Sequence, residues 1–222
     1  MEENRIKNAM RFYLMATSLK YKIRSGWDEN HWNVTKERIE SIAEHVYGAC
    51  ILAISLDSEF DFNIDLNKVI KMLVIHEIGE VLIGDITPFD NIKQEEKMER
   101  EHDAIVRVVG NLIKKEEIIS LLLEFDSKTT KESIFAYHCD KLEADLQAKV
   151  YQDMGYQNPL DQQKDNVVLK NEKARRIVEN GATTAFDVWY EWDKPIYNED
   201  EIFLKMLDFV KEHDTQSLLN NN

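Results

Sequence analysis

Two histidines interrupt strongly apolar stretches of this 222-residue chain: His45 within SIAEHVYGACILAISL and His76 within KMLVIHEIGEVLIGD. An imidazole among apolar neighbours needs a polar partner, because an unsatisfied ring nitrogen is costly to bury. Either histidine alone is most simply a satisfied core residue. The reading shifts because Glu77 follows His76 directly and Glu80 comes one helical turn later. Residues four apart share a helix face, and successive residues are turned by about 100°. On a continuous helix His76 and Glu80 therefore point the same way, with Glu77 on the adjoining edge, where one ion can take both His76 and Glu77. Asp140, in FAYHCDKLEADLQA, is a carboxylate in another segment of buried character, and a buried carboxylate needs a cation or several donors. Two imidazoles and two carboxylates from three segments form a mixed nitrogen and oxygen set. It is too hard and too open for a structural zinc, and it suits one divalent ion (Mn, Co, Fe, Ni, Zn or Mg) with positions left for water.

The other four histidines sort differently. His31 in a polar loop, His102 on a charged helix and His213 near the C-terminus read as surface residues. His138 precedes Asp140 by two residues, so on a helix the two side chains diverge by about 200°. It reads as a core residue or as support behind the site.

The elements that must carry these groups are helices. Apolar residues recur at spacings of three and four, and 7 Gly and 3 Pro are too few for a many-stranded sheet. The pattern predicts a first helix over residues 5–22, with Ile6, Met10, Tyr13, Leu14 and Leu19 on its apolar side, followed by the polar and aromatic loop GWDENHWNVTK. Helices are expected over 39–56 carrying His45, over 66–83 carrying His76, Glu77 and Glu80, over 92–114, over 117–125, and over 131–154 carrying Asp140. Two or three more should follow residue 156. Without repeats or a low-complexity linker, the expectation is an all-α chain: a single helical domain over 1–222, with a core over about 5–155, a helical extension over about 156–214 and a disordered tail over about 215–222.

Composition narrows the function. A net charge of −14, from 42 acidic and 28 basic residues, repels a nucleic-acid backbone, so no polymeric nucleic acid is expected as partner. A small anion remains possible, because a metal ion or a few arginines invert the local field. Cys50 and Cys139 show no metal or disulfide spacing, which fits a reducing cytoplasm. Neither a signal-peptide core nor an apolar run of membrane-span length is apparent, so the expectation is a soluble, cytoplasmic protein with no membrane partner.

The ordered residues His45, His76-Glu77 and Asp140 resemble the H…HD…D pattern of the HD superfamily of metal-dependent phosphohydrolases. The flanks ESIAEHVYGA, HEIGEVLIGDITP, EEKMERE and CDKLEADLQA are similar to its 5′-deoxynucleotidase branch, over about residues 5–155. That resemblance implies an orthogonal helical bundle around a single mononuclear metal site held by His45, His76, Glu77 and Asp140. It also implies catalytic roles for Glu80 and Asp85 and phosphate or sugar contacts from Arg24, Trp27 and Arg38, with Trp32 a rival to Trp27. The family writes Asp where this chain has Glu77.

What the resemblance implies is hydrolysis of (deoxy)ribonucleoside 5′-monophosphates to nucleoside and phosphate by a homodimer, with the Trp-containing C-terminal third supplying the contact. The alternatives are an HD phosphohydrolase acting on a triphosphate, an alarmone or a cyclic dinucleotide, and a non-catalytic helical module for ligand binding or oligomerisation. The sequence lacks an obvious basic cluster for a polyphosphate, which favours the monophosphate.

Overall fold

The computed structural model describes residues 1–219 apart from Lys36, Arg38, Asn91, Lys164 and Asp165. Its α-helices are α1 (Glu2–Ala16), α2 (Ile42–Glu59), α3 (Leu66–Ile75), α4 (Glu80–Ile83), α5 (Gln94–Val109), α6 (Lys115–Ser127), α7 (Lys131–Asp153), α8 (Val167–Lys170), α9 (Glu172–Glu179), α10 (Ala185–Asp193), α11 (Glu201–Glu212) and α12 (Thr215–Leu219). Among the described residues β pairing is confined to two isolated bridges, Ile23 with Ser41 and Val34 with Gln157. The all-α expectation holds. No described helix is long and apolar enough to cross a membrane.

The chain forms two compact units, Met1–Arg24 with Glu40–Asp140 and Ser25–Ile39 with Lys141–Asn222. In the first, Ile78, Ile105, Val108, Val109 and Leu122 form a buried cluster, against which Phe12, Met15 and Ala16 of α1 pack. That contact does not run through the apolar stripe of α1. Leu19, in a 3₁₀ turn beyond the helix, is buried, whereas Ile6, Met10, Tyr13 and Leu14 are all at least half exposed. Periodicity identified an apolar stripe, but the helix packs through its neighbouring edge.

One correction concerns the helix expected over 66–83. It stops at Ile75, with His76 as its C-cap, and resumes only at Glu80. Between them the backbone tightens to three-residue turns, Ile78 N–H to Ile75 C=O at 3.1 Å and Glu80 N–H to Glu77 C=O at 3.0 Å. Gly79 lies in this turn: a Cβ there would come within 3.3 Å of the Glu101 carbonyl oxygen of α5, a tight approach that would need the backbone to give by a few tenths of an ångström.

The second unit is built on aromatic rings. Trp27 meets Tyr151 edge-on at 5.5 Å between centroids and Trp189 at 5.9 Å, while Trp32 lies 6.2 Å from Trp189. The segment read as a polar loop is irregular, but Trp27, His31, Trp32 and Val34 within it are buried. His31 was expected at the surface. Its Nδ1 lies 2.9 Å from Asp28 Oδ1 and its carbonyl accepts from the Asn166 amide, so its polar groups are met inside. The start of the tail expected to be disordered, Thr215–Leu219, is the short helix α12, and Thr215 N–H donates to Asp153 at 2.8 Å.

Candidate metal centre

Three pieces of the first unit bring the site together. His45 lies one turn into α2, whose start is fixed by a reciprocal cap: Ser41 Oγ accepts from Glu44 N–H at 3.3 Å, and the Glu44 carboxylate accepts from Ser41 N–H at 2.8 Å. His76 and Glu77 occupy the tight turn after α3, and Asp140 comes from α7. His45 is fully buried and Asp140 nearly so.

The ligand atoms of His45, His76, Glu77 and Asp140 all lie within 4.8 Å of one another. Asp140 Oδ1 is 2.9 Å from His45 Nε2 and 3.3 Å from His76 Nε2. Glu77 Oε1 is 3.4 Å from His76 Nε2 and 3.7 Å from His45 Nε2. His76 and Glu77 both lie in the three-residue turn between α3 and α4, which carries the two groups to the cluster together.

This donor set fits a divalent cation. His76 Nδ1 lies 2.6 Å from the Leu73 carbonyl oxygen, so Nδ1–H donates there and Nε2 is the nitrogen turned to the cluster, open to a proton or an ion. The field favours positive charge as well. Burial alone would lower the His76 pKa, but the carboxylates of Glu77 and Asp140 outweigh it and push it up to about 10. A cluster that holds a proton so firmly is one in which a metal ion can replace it.

Around these four lie the other expected residues of the unit. Arg24 Nη1 donates to Glu77 Oε1 at 3.1 Å. Burial works against its charge, yet Asp85, Glu77, Glu80 and Asp140 together hold the guanidinium more firmly protonated than usual. Glu77 itself would be raised by burial, but His76 and Arg24 hold it below the usual carboxylate range. Glu80 is 4% exposed, and its Oε2 has no hydrogen-bond partner among the described residues. Burial first, then the charges of Glu77 and Asp85, push its carboxyl well above the ordinary value. Trp27 is in the second unit within its aromatic cluster, as is the rival Trp32. Arg38 lies outside the described residues.

The Arg24–Glu77 pair is the feature that sequence spacing did not show. Its positioning comes from a short backbone ladder: Arg24 N–H donates to Glu40 C=O at 3.0 Å, and Ile42 N–H donates to Lys22 C=O at 2.8 Å, flanking the Ile23–Ser41 bridge. This ties the residue to the chain entering α2, and so to the helix that carries His45.

Known proteins resemble this chain over most of its length. A family model described as "HD domain" matches residues 16–180. The chain is 34% identical over 159 residues to 5′-deoxynucleotidase HDDC2 of Dictyostelium discoideum, covering 68% of this chain and 82% of that one. It is 29% identical over 150 residues to the Homo sapiens protein of the same name, covering 67% and 70% respectively. Among solved structures, one described as a "Predicted metal-dependent phosphohydrolase" from Magnetospirillum magnetotacticum MS-1 superposes with a TM-score of 0.57 at 27% identity, over 70% of this chain and 76% of that one. A Pyrococcus horikoshii OT3 protein superposes with a TM-score of 0.63 over 90% of this chain and 97% of that one. At 22% identity, that likeness concerns the fold alone.

Proposed function

The chain belongs to the HD-domain family, and from that premise we propose that it is a metal-dependent phosphomonoesterase converting deoxyribonucleoside 5′-monophosphates to nucleoside and phosphate. The observation that carries this reading is the buried set of two imidazoles and two carboxylates with a charged arginine and an acidic pair beside it. A divalent ion held by His45, His76, Glu77 and Asp140 would supply a water of lowered pKa and neutralise charge on the phosphate oxygens.

The chain's own groups do the rest. Arg24 offers a fixed positive fork to the phosphate. Glu80 has a free oxygen and a carboxyl biased toward protonation, so it can hold a proton for the departing 5′ oxygen, with Asp85 raising that bias through its charge. Burial of the cluster keeps bulk water from competing with these contacts. Trp27 and Arg38 stay in the proposal as sugar and phosphate contacts on the family resemblance; a W27F variant with an unchanged deoxy-to-ribo rate ratio would remove Trp27 from it. A cytoplasmic homodimer working with Mn, Co, Fe, Ni, Zn or Mg completes the reading.

A substrate panel tests it. Deoxy- and ribonucleoside 5′-monophosphates, deoxynucleoside triphosphates and a cyclic dinucleotide are offered to the metal-loaded protein, with phosphate and pyrophosphate measured separately. Phosphate release fastest from the deoxy monophosphates is the expected result. Turnover of the triphosphate or cyclic substrate alone would move the chain to another branch of the family.

A further inference from the structure

We propose that Arg24 and the metal ion compete for a single oxygen of Glu77, which makes Arg24 a positioning residue that sets how tightly the site grips its ion. The inference rests on reading His45, His76, Glu77 and Asp140 as the metal-binding set.

The decisive observation is that one atom serves two roles. Glu77 Oε1 accepts from Arg24 Nη1 at 3.1 Å, and the same Oε1 faces His76 Nε2 at 3.4 Å and His45 Nε2 at 3.7 Å. It is the Glu77 oxygen that completes the cluster, and a guanidinium already draws on its charge and fixes its direction. Arginine cannot relieve the conflict by losing a proton. Nor is its backbone loose, because the pairing of residues 22–24 with 40–42 fixes the point from which the side chain reaches. The side chains of Arg24 and Glu77 are 17% and 14% exposed, so solvent screens the pair only in part.

The length of the Glu77 side chain creates the contact. An aspartate at this position would withdraw its carboxylate by one carbon–carbon bond, ~1.5 Å, from wherever the glutamate places it. The extra methylene therefore lets one carboxylate reach both the imidazoles and the guanidinium. A phosphate that engages Arg24 would release the Glu77 oxygen to the ion, and by linkage a bound ion would favour phosphate on Arg24. Metal grip and substrate grip are thereby coupled through one oxygen.

The test is a double-mutant cycle read on metal affinity rather than on turnover. The unmutated protein, R24Q, E77D and R24Q/E77D are stripped with chelator and titrated with Mn²⁺ by calorimetry, and thermal melts establish that each apoprotein is folded; R24M, which likewise removes the cationic donor, replaces R24Q throughout if the latter does not fold. Competition for a charge-assisted hydrogen bond predicts that R24Q tightens the Mn²⁺ Kd about tenfold in the Glu77 protein and less than about twofold in the E77D background. Weaker Mn²⁺ binding in R24Q would mean that Arg24 buttresses the ligand instead, and equal tightening in both backgrounds would mean a general charge effect; either result overturns the inference while leaving the metal site intact. Failure of the unmutated protein to take up Mn²⁺, Co²⁺ or Zn²⁺ would overturn both the inference and the site reading beneath it.

Discussion

Helix α7 carries two buried aspartates five residues apart in sequence, and the chain satisfies them in opposite ways. Asp140, in the first unit, faces His45 and His76, with Glu77 and Arg24 nearby. Asp145, in the second, is fully buried, accepts a hydrogen bond from the Tyr197 hydroxyl at 3.0 Å and feels the charge of Asp193. Imidazoles stand beside the first, in the geometry of a set that can take a cation. Burial first, and the Asp193 carboxylate second, push the Asp145 carboxyl well above the usual range, so a proton neutralises it instead. Buried acidity alone does not make a metal site; what decides is whether neutral nitrogen ligands or another acid stand beside it.

The same substitution at the two positions should therefore do different things. D140N removes a charged ligand, and phosphate release is expected to fall at least about a thousandfold, the upper scale for losing one preorganised electrostatic contact, with Mn²⁺ affinity reduced in parallel. D145N imitates the protonated acid and should leave turnover unchanged. Equal activity loss in both, measured at saturating metal, would erase the distinction. E80Q comes next: kcat is expected to drop roughly a hundredfold or more as a proton carrier is lost, with the Mn²⁺ Kd changed by less than about threefold. A shifted metal affinity with kcat intact would reassign Glu80 to holding the ion.

Stability separates the clusters on a smaller scale. Because the folded pKa of Asp145 is raised well above the ordinary aspartate value, which the unfolded chain keeps, the folded state binds the extra proton. Its contribution to stability is full below that unfolded value and is lost as pH rises through the folded pKa. Melting temperatures of wild type and D145N should converge at low pH, with the variant relatively more stable as pH rises. A wild type that gains stability over D145N on raising the pH would contradict the reading that Asp145 is neutralised by a proton. D145A, which removes the acceptor of the Tyr197 bond and opens a void, should cost about 1–3 kcal/mol by chemical denaturation.

Much of this site is legible in the sequence because polar groups stand out against apolar helices. His45 and His76 each break a long hydrophobic run, and Asp140 lies in a segment whose neighbours are buried. The break between Ile75 and Glu80 is not legible, since it depends on Gly79 lying against the Glu101 backbone of a helix distant in sequence. Arg24 is named through family resemblance, but its bond to Glu77 depends on the ladder between residues 22–24 and 40–42, which no local pattern announces. The apolar stripe of α1 teaches the complementary point. Spacing shows that Ile6, Met10, Tyr13 and Leu14 share a face, yet only tertiary packing decides that Phe12, Met15 and Ala16 are the ones covered. In the C-terminal third, the Trp189 ring lies against Trp27 and Trp32, an aromatic contact between residues far apart in sequence that no local pattern announces.

The most direct test of the central claim is restoration of activity by metal. Protein stripped with chelator is assayed for phosphate release from deoxyadenosine 5′-monophosphate before and after addition of Mn²⁺, Co²⁺, Zn²⁺ or Mg²⁺, beside H76A treated identically. Activity absent from the stripped protein, recovered with at least one ion and missing from H76A under every ion is the expected result. Phosphate release that survives complete metal removal, or that persists in H76A, would contradict a metal-dependent hydrolytic centre built on these four residues.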